Sequence, residues 1–151
     1  MAQLKFKQQT SVILSCFFDE PYLETDSAND FDPIKIVNQL RQLGDHYDET
    51  VIQPLIRNIQ TAPADQASVV FTNSVNTLCE MWVADRPEVA SEKHLLKATM
   101  TLSLYIKRNF PDITTRVHGA IFNILNNRLA SWIMEQGGWV CFERPDWLTN
   151  L

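Results

Sequence analysis

The sequence predicts an all-α fold, a bundle of seven or eight helices around a buried central helix. Three observations predict it. Apolar residues recur three and four apart in one segment after another, the spacing of a single helical face. No stretch alternates apolar and polar residues for long enough to make a strand, and no internal repeat is visible. One segment, residues 98–106, carries no charged side chain, which at helical period marks a helix covered by neighbours on nearly all sides. The 151 residues suffice for one domain with a sizeable core, residues 1–151, and hardly for two.

Taken in order, residues 4–18 form the first helix, with Phe6, Val12, Ile13, Cys16 and Phe17 in a mixed apolar stripe, and Pro21 stops it. Residues 20–31 are acidic, rich in Asp, Ser and Asn, and read as a mobile loop. Asp32-Pro33 opens the next helix, since Asp caps well and Pro suits the first turn; residues 34–47 then run amphipathic. Residues 50–59 make a short helix with Pro54 in its first turn. Residues 61–65 link it to a long helix over 66–84, whose stripe is Val69, Val70, Phe71, Val75, Leu78, Met81 and Trp82. Asp85-Arg86-Pro87 breaks that helix. Ser91 caps the central helix, which reaches 108 or 109. Pro111 opens another, through about residue 126. A short helix at 129–136 is stopped by Gly137-Gly138, and a last short piece covers 139–147.

Apolar residues make up 45% and charged residues 21%, near the average of globular domains, which excludes a disordered tail, a collagen-like chain and a coiled-coil rod. A net charge of −5 leaves no electrostatic footprint for nucleic acid. The longest uncharged run, residues 66–79, falls short of the ~18 apolar residues that span a bilayer, so no stable membrane anchor is expected. Signal-peptide and lipidation motifs are not found. Three widely spaced cysteines, Cys16, Cys79 and Cys141, suit reduced, small apolar side chains in a cytoplasmic protein.

Catalytic chemistry finds little support. His46, His94 and His118 are scattered, the cysteines form no zinc pair, and neither a serine elbow nor a phosphate loop is present. Paired acids such as Asp19-Glu20 and Asp48-Glu49 read as solvated surface. The chain is expected not to be an enzyme, with no metal and no cofactor.

One segment stands apart. Ile36, Leu40, Leu43 and Tyr47 fall at i, i+4, i+7 and i+11, which sets four apolar side chains on one helical face, the format of a helix lying in a hydrophobic groove. Gly44 and Asp45 sit between the last two. Glycine inside a helix costs about 1 kcal/mol relative to alanine, a cost that a close backbone approach would explain. Asp45 lies beside the apolar face, where an arginine of a partner could bind it. On spacing alone an ordinary amphipathic core helix is the commoner reading.

Residues 40–48, Leu-Arg-Gln-Leu-Gly-Asp-His-Tyr-Asp, resemble the BH3 motif of the Bcl-2 family of apoptosis regulators: Leu, three residues, Gly-Asp, one residue, apolar, acidic. Downstream, Trp132-Ile133-Met134-Glu135-Gln136-Gly137-Gly138-Trp139 is similar to the family's BH2 motif, Trp-Ile, a variable stretch, Gly-Gly-Trp. The two motifs in this order, in an all-helical chain of this length, extend the resemblance over nearly the whole sequence. It departs from the family at BH1, whose Asn-Trp-Gly-Arg is replaced by Asp85-Arg86-Pro87-Glu88-Val89-Ala90-Ser91; Arg86 cannot be equated with the motif's arginine, which in prosurvival relatives pairs with the Asp of an incoming BH3 helix. The resemblance implies a Bcl-2-like bundle that regulates apoptosis by protein binding, with Bcl-2 family proteins as partners and a weakly pro-apoptotic effect. Ile36, Leu40, Leu43, Gly44, Asp45, Tyr47 and Asp48 would carry partner binding. Trp132, Ile133, Gly137, Gly138 and Trp139 would mainly hold the fold, with Gly137 in the left-handed conformation that ends a helix. Two alternatives stand beside donation of the BH3 helix: a groove-bearing receptor that sequesters BH3 helices, as virally encoded relatives do, and a bundle without apoptotic activity.

Overall fold

The computed structural model describes residues 2–18, 33–45 and 47–143. Among them all regular structure is helical, in seven α-helices: α1 (Ala2–Phe18), α2 (Pro33–Gly44), α3 (Glu49–Thr61), α4 (Ala67–Asp85), α5 (Ser91–Asn109), α6 (Thr114–Asn123) and α7 (Ala130–Glu135). Short 3-10 turns at Pro111–Ile113 and Trp139–Glu143 and one π turn at Ile124–Arg128 complete it. The all-α expectation therefore holds. The expected loop at 20–31, position 46 and the predicted last piece beyond 143 lie outside the described residues.

Helix α5 is the centre. Every residue from Lys93 to Ile106 except Lys97 is buried, including the charge-free stretch 98–106. Two of its buried hydroxyls are satisfied within the helix: Thr99 donates to the Leu95 carbonyl at 2.8 Å and Ser103 to that of Thr99 at 2.6 Å, whereas Thr101 Oγ1 and His94 Nδ1 find no partner among the described residues. Helices α2, α4 and α6 pack on α5, and α1 packs on α2. Lys107 and Arg108 fill its last turn, where positive charge complements the helix dipole.

Several boundaries differ from the expected ones, each for a local reason. The second helix ends at Gly44, not Tyr47, because Asp48 already caps the next helix: its carboxylate accepts from the Thr50 N–H at 3.0 Å and the Thr50 hydroxyl at 2.7 Å. The chain has to turn between the two. That cap starts α3 at Glu49, which places Pro54 inside the helix, beyond its first turn. Ser91 does not cap α5; it is the first helical residue, after Ala90, and no side chain caps that end. The helix expected to run from Pro111 to about residue 126 is split into a 3-10 turn, α6 and the π turn.

Candidate functional site

The α2 segment begins at a buried proline and turns its apolar face inward. Ile36, Val37, Leu40 and Leu43 are each 2% exposed or less, on a surface made by α1, α5 and the Trp139–Glu143 turn. Only Ile34, 37% exposed, shows a large apolar side chain to solvent on this helix.

Gly44 is where α2 comes closest to α5. A Cβ built there would lie 2.9 Å from both the carbonyl carbon and oxygen of Met100 and 3.1 Å from the Thr101 nitrogen. All three are backbone atoms of a buried helix, so no side chain can swing aside. The glycine expected to serve a close backbone approach does so, and the approached surface is the central helix.

One residue further, Asp45 turns out of the helix, its N–H bonded to the Gln42 carbonyl at 3.3 Å. Its carboxylate takes a 2.8 Å charged hydrogen bond from Arg108, in the last turn of α5. Both side chains are about half exposed, at 48% and 50%. An arginine does pair with Asp45, but this chain supplies it. Arg41, on the same helix, donates to the carbonyls of Cys16 at 3.3 Å and Phe17 at 3.1 Å, tying α2 to the open end of α1, where carbonyls lack helical partners.

Tyr47 and Asp48 are not on the α2 face. Tyr47 is half-buried beyond the helix end and meets the Tyr105 ring edge-on, centroids 6.0 Å apart. Asp48 is exposed and engaged as the α3 cap, and the Thr50 hydroxyl and N–H hold its carboxyl below the ordinary carboxylate value. The four-point stripe expected from spacing is thus three points on the helix plus a tyrosine from the following turn.

The BH2-like residues build a joint. The Gly138 N–H bonds to the Ile133 carbonyl at 2.9 Å and the Gly137 N–H to that of Met134 at 3.1 Å, the paired bonds of a Schellman motif. Gly137 and Gly138 have φ of +109° and +85°, positions that favour glycine. The reversal drives Trp139 into the core. Its ring stacks on Phe6 with centroids 5.8 Å apart, and its indole N–H donates to Thr10 Oγ1 at 2.9 Å. Thr10 in turn donates to the Phe6 carbonyl at 2.9 Å. Ile133 is fully buried, and Trp132 lies half-buried against Phe142.

Arg86 pairs with Glu88 at 2.8 Å on the surface, and its carbonyl accepts from His94 Nε2 at 2.9 Å; the arginine on Asp45 is Arg108. The residues that sequence reasoning missed are Arg108, Arg41 and Thr10. Their partners are 63, 25 and 129 positions away, so no local spacing signals them.

Surface grooves among the described residues accompany this arrangement. One of about 490 Å³ runs between α3 and α4 and includes Leu55, Pro63, Val70 and Thr77. Another, of about 720 Å³, lies between α1, α4 and α6. Among the described residues no group of three His, Cys, Asp or Glu side chains is placed to hold a metal ion, and no helix is long and apolar enough to cross a membrane. No family model matches the chain.

Proposed function

We propose that the chain is a Bcl-2-type bundle acting by protein binding in the regulation of apoptosis, and that α2 is its interaction helix, donated to the groove of a prosurvival Bcl-2 relative. One observation carries the reading. The helix sits in its own bundle as a ligand sits in a receptor: apolar teeth Ile36, Leu40 and Leu43 inserted into a groove, a glycine against backbone, and an aspartate paired with an arginine. The contacts a partner would offer are the contacts already made at home, so home and partner compete for one helix. Affinity then falls in proportion to the fraction of molecules that are open, which suits a weak, regulated effect.

A competition titration tests this. A labelled BH3 peptide occupies the groove of a prosurvival relative, and the full chain is added. Asp45→Ala removes a contact the partner would use. Arg108→Ala removes only the home contact. The ion pair is half exposed and worth roughly 0–1 kcal/mol, so Arg108→Ala is expected to strengthen displacement by up to about fivefold, while Asp45→Ala weakens it. If both variants shift displacement the same way, Asp45 is not used by the partner and the donor reading fails.

The groove between α3 and α4 favours a second reading, a receptor for BH3 helices. In the same assay the label would then move onto this chain. If wild type neither displaces nor takes up the label and the isolated segment 32–52 also fails, the motif is a core helix alone.

A further inference from the structure

Two glycines lie in helices of this bundle in opposite circumstances. Gly44 touches backbone. Gly119, in the middle of α6, is exposed, and a Cβ built on it meets no atom within 4 Å. A mid-helix glycine costs about 1 kcal/mol relative to alanine, and no described residue of the chain packs close enough to require this one. It borders the groove of about 720 Å³ between α1, α4 and α6, a volume within the range of ligand sites.

The lining has a definite chemistry. Asn73, Asn123, Asn126 and Asn127 ring the groove, and each side-chain amide carries both donor and acceptor capacity, the complement of a peptide unit. Asn127 donates to Asn123, which orients one pair. The π turn at Ile124–Arg128 carries two of these asparagines, and π turns recur at functional sites. Val69, 54% exposed, stands in the lining as an uncovered apolar side chain. Among the described residues Lys7 is the lining's single charge, and it is positive in a chain of net charge −5.

We propose that this groove binds an extended peptide segment of a partner protein, bearing an acidic residue that pairs with Lys7. The asparagine amides read the peptide's backbone, Val69 and Phe122 take an apolar side chain, and the absent side chain at Gly119 leaves room for the peptide main chain to lie against α6. An acid is favoured because the described lining offers one cation and no anion. The surface is independent of α2, none of whose residues line it.

The test is selection of a random peptide display library on the full chain, with the enriched peptides then titrated against variants. Gly119→Leu projects a side chain from an exposed helical position where an added Cβ meets nothing within 4 Å, so it is expected to fold at least as stably as wild type. Enriched peptides carrying Asp or Glu, weakened at least about tenfold by Gly119→Leu and by Lys7→Glu, support the site. Failure to enrich any peptide overturns it. So does enrichment of peptides that bind Gly119→Leu as well as wild type. Enriched sequences without an acid, with apolar residues at helical spacing, overturn it in favour of a docked helix.

Discussion

Replacing Gly44 by alanine should destabilise the bundle, although alanine is the better helix former. The added methyl would sit 2.9 Å from the Met100 carbonyl carbon and oxygen and 3.1 Å from the Thr101 nitrogen. Carbon–carbon contacts are optimal at about 3.5–4.0 Å, so α2 has to retreat by roughly half an ångström or more, or α5 has to bend. Helix α5 is buried along most of its length and is the harder of the two to move. Overpacking of this kind costs about 1–3 kcal/mol. The opposing gain in helix propensity is at most about 1 kcal/mol, and less at the last helical residue. The net expectation is a loss of about 1–2 kcal/mol, read as a lower urea midpoint at unchanged m-value. The same substitution at Gly119, where no atom lies within 4 Å, should stabilise by about 0.5–1 kcal/mol. Opposite signs for one chemical change isolate the backbone contact as the cause. Gly44→Ala as stable as wild type would refute the reasoning, because α2 would then not be pinned to α5 at this point.

Two further outcomes follow from single contacts. Thr10→Val keeps the shape of a fully buried side chain but leaves the Trp139 indole N–H without its acceptor; a buried unpaired donor costs about 1–3 kcal/mol, and a melting temperature within error of wild type would show that the tie does not hold the last turn. Asp48 has its carboxyl lowered by the Thr50 hydroxyl and N–H, so its folded-state value lies below the unfolded one. Its contribution is full above the unfolded value of about 3.9 and is lost as pH falls through the folded value. Asp48→Asn retains an equally good cap without the titration, so the stability difference between wild type and variant should stay flat from pH 7 to 5 and move against wild type below about pH 4; a parallel acid profile would remove Asp48 from the account.

What was legible in the sequence is what depends on neighbours along the chain. The burial of α5 followed from the missing charges at 98–106, and the helix stop at Gly137 from glycine's tolerance of positive φ. Tyr47 was misplaced because periodicity continues past a helix end without noticing it. The signal that stops the helix was nonetheless present: Asp48 two residues before Thr50 is the spacing of a capping turn, a role masked by its place in an acidic pair and at the acidic end of the BH3-like motif. Ser91 misled in the converse way, since a capping residue type next to a helix start does not decide which residue takes the cap position. Arg108 was out of reach altogether. An arginine in a last turn reads as dipole compensation, and only the packing of α2 against α5 brings it to Asp45.

The same packing sets the terms on which α2 could ever leave. Ile36, Val37, Leu40 and Leu43 are essentially fully buried, and at about 1.5–3 kcal/mol each their burial contributes roughly 6–12 kcal/mol before the entropy regained by the freed segment, about 1–2 kcal/mol per residue, is set against it. For donation by local opening, in which the rest of the bundle stays folded, the net cost has to lie below global stability, about 5–15 kcal/mol for a domain. Every 1.4 kcal/mol of that cost weakens donation tenfold. A free segment of residues 32–52 pays for its own ordering on binding, as an opened α2 does, so that term cancels. The ratio of affinities between segment and full chain therefore reads the opening cost directly. Native-state hydrogen exchange at the amides of Leu40 and Leu43 reads the same quantity without any partner. Donation by local opening requires the two numbers to agree and both to fall below the exchange free energy of the α5 amides. If α2 exchanges only with α5, the helix leaves only when the bundle unfolds, and a chain that still displaced a BH3 peptide under those conditions would be binding through some other surface.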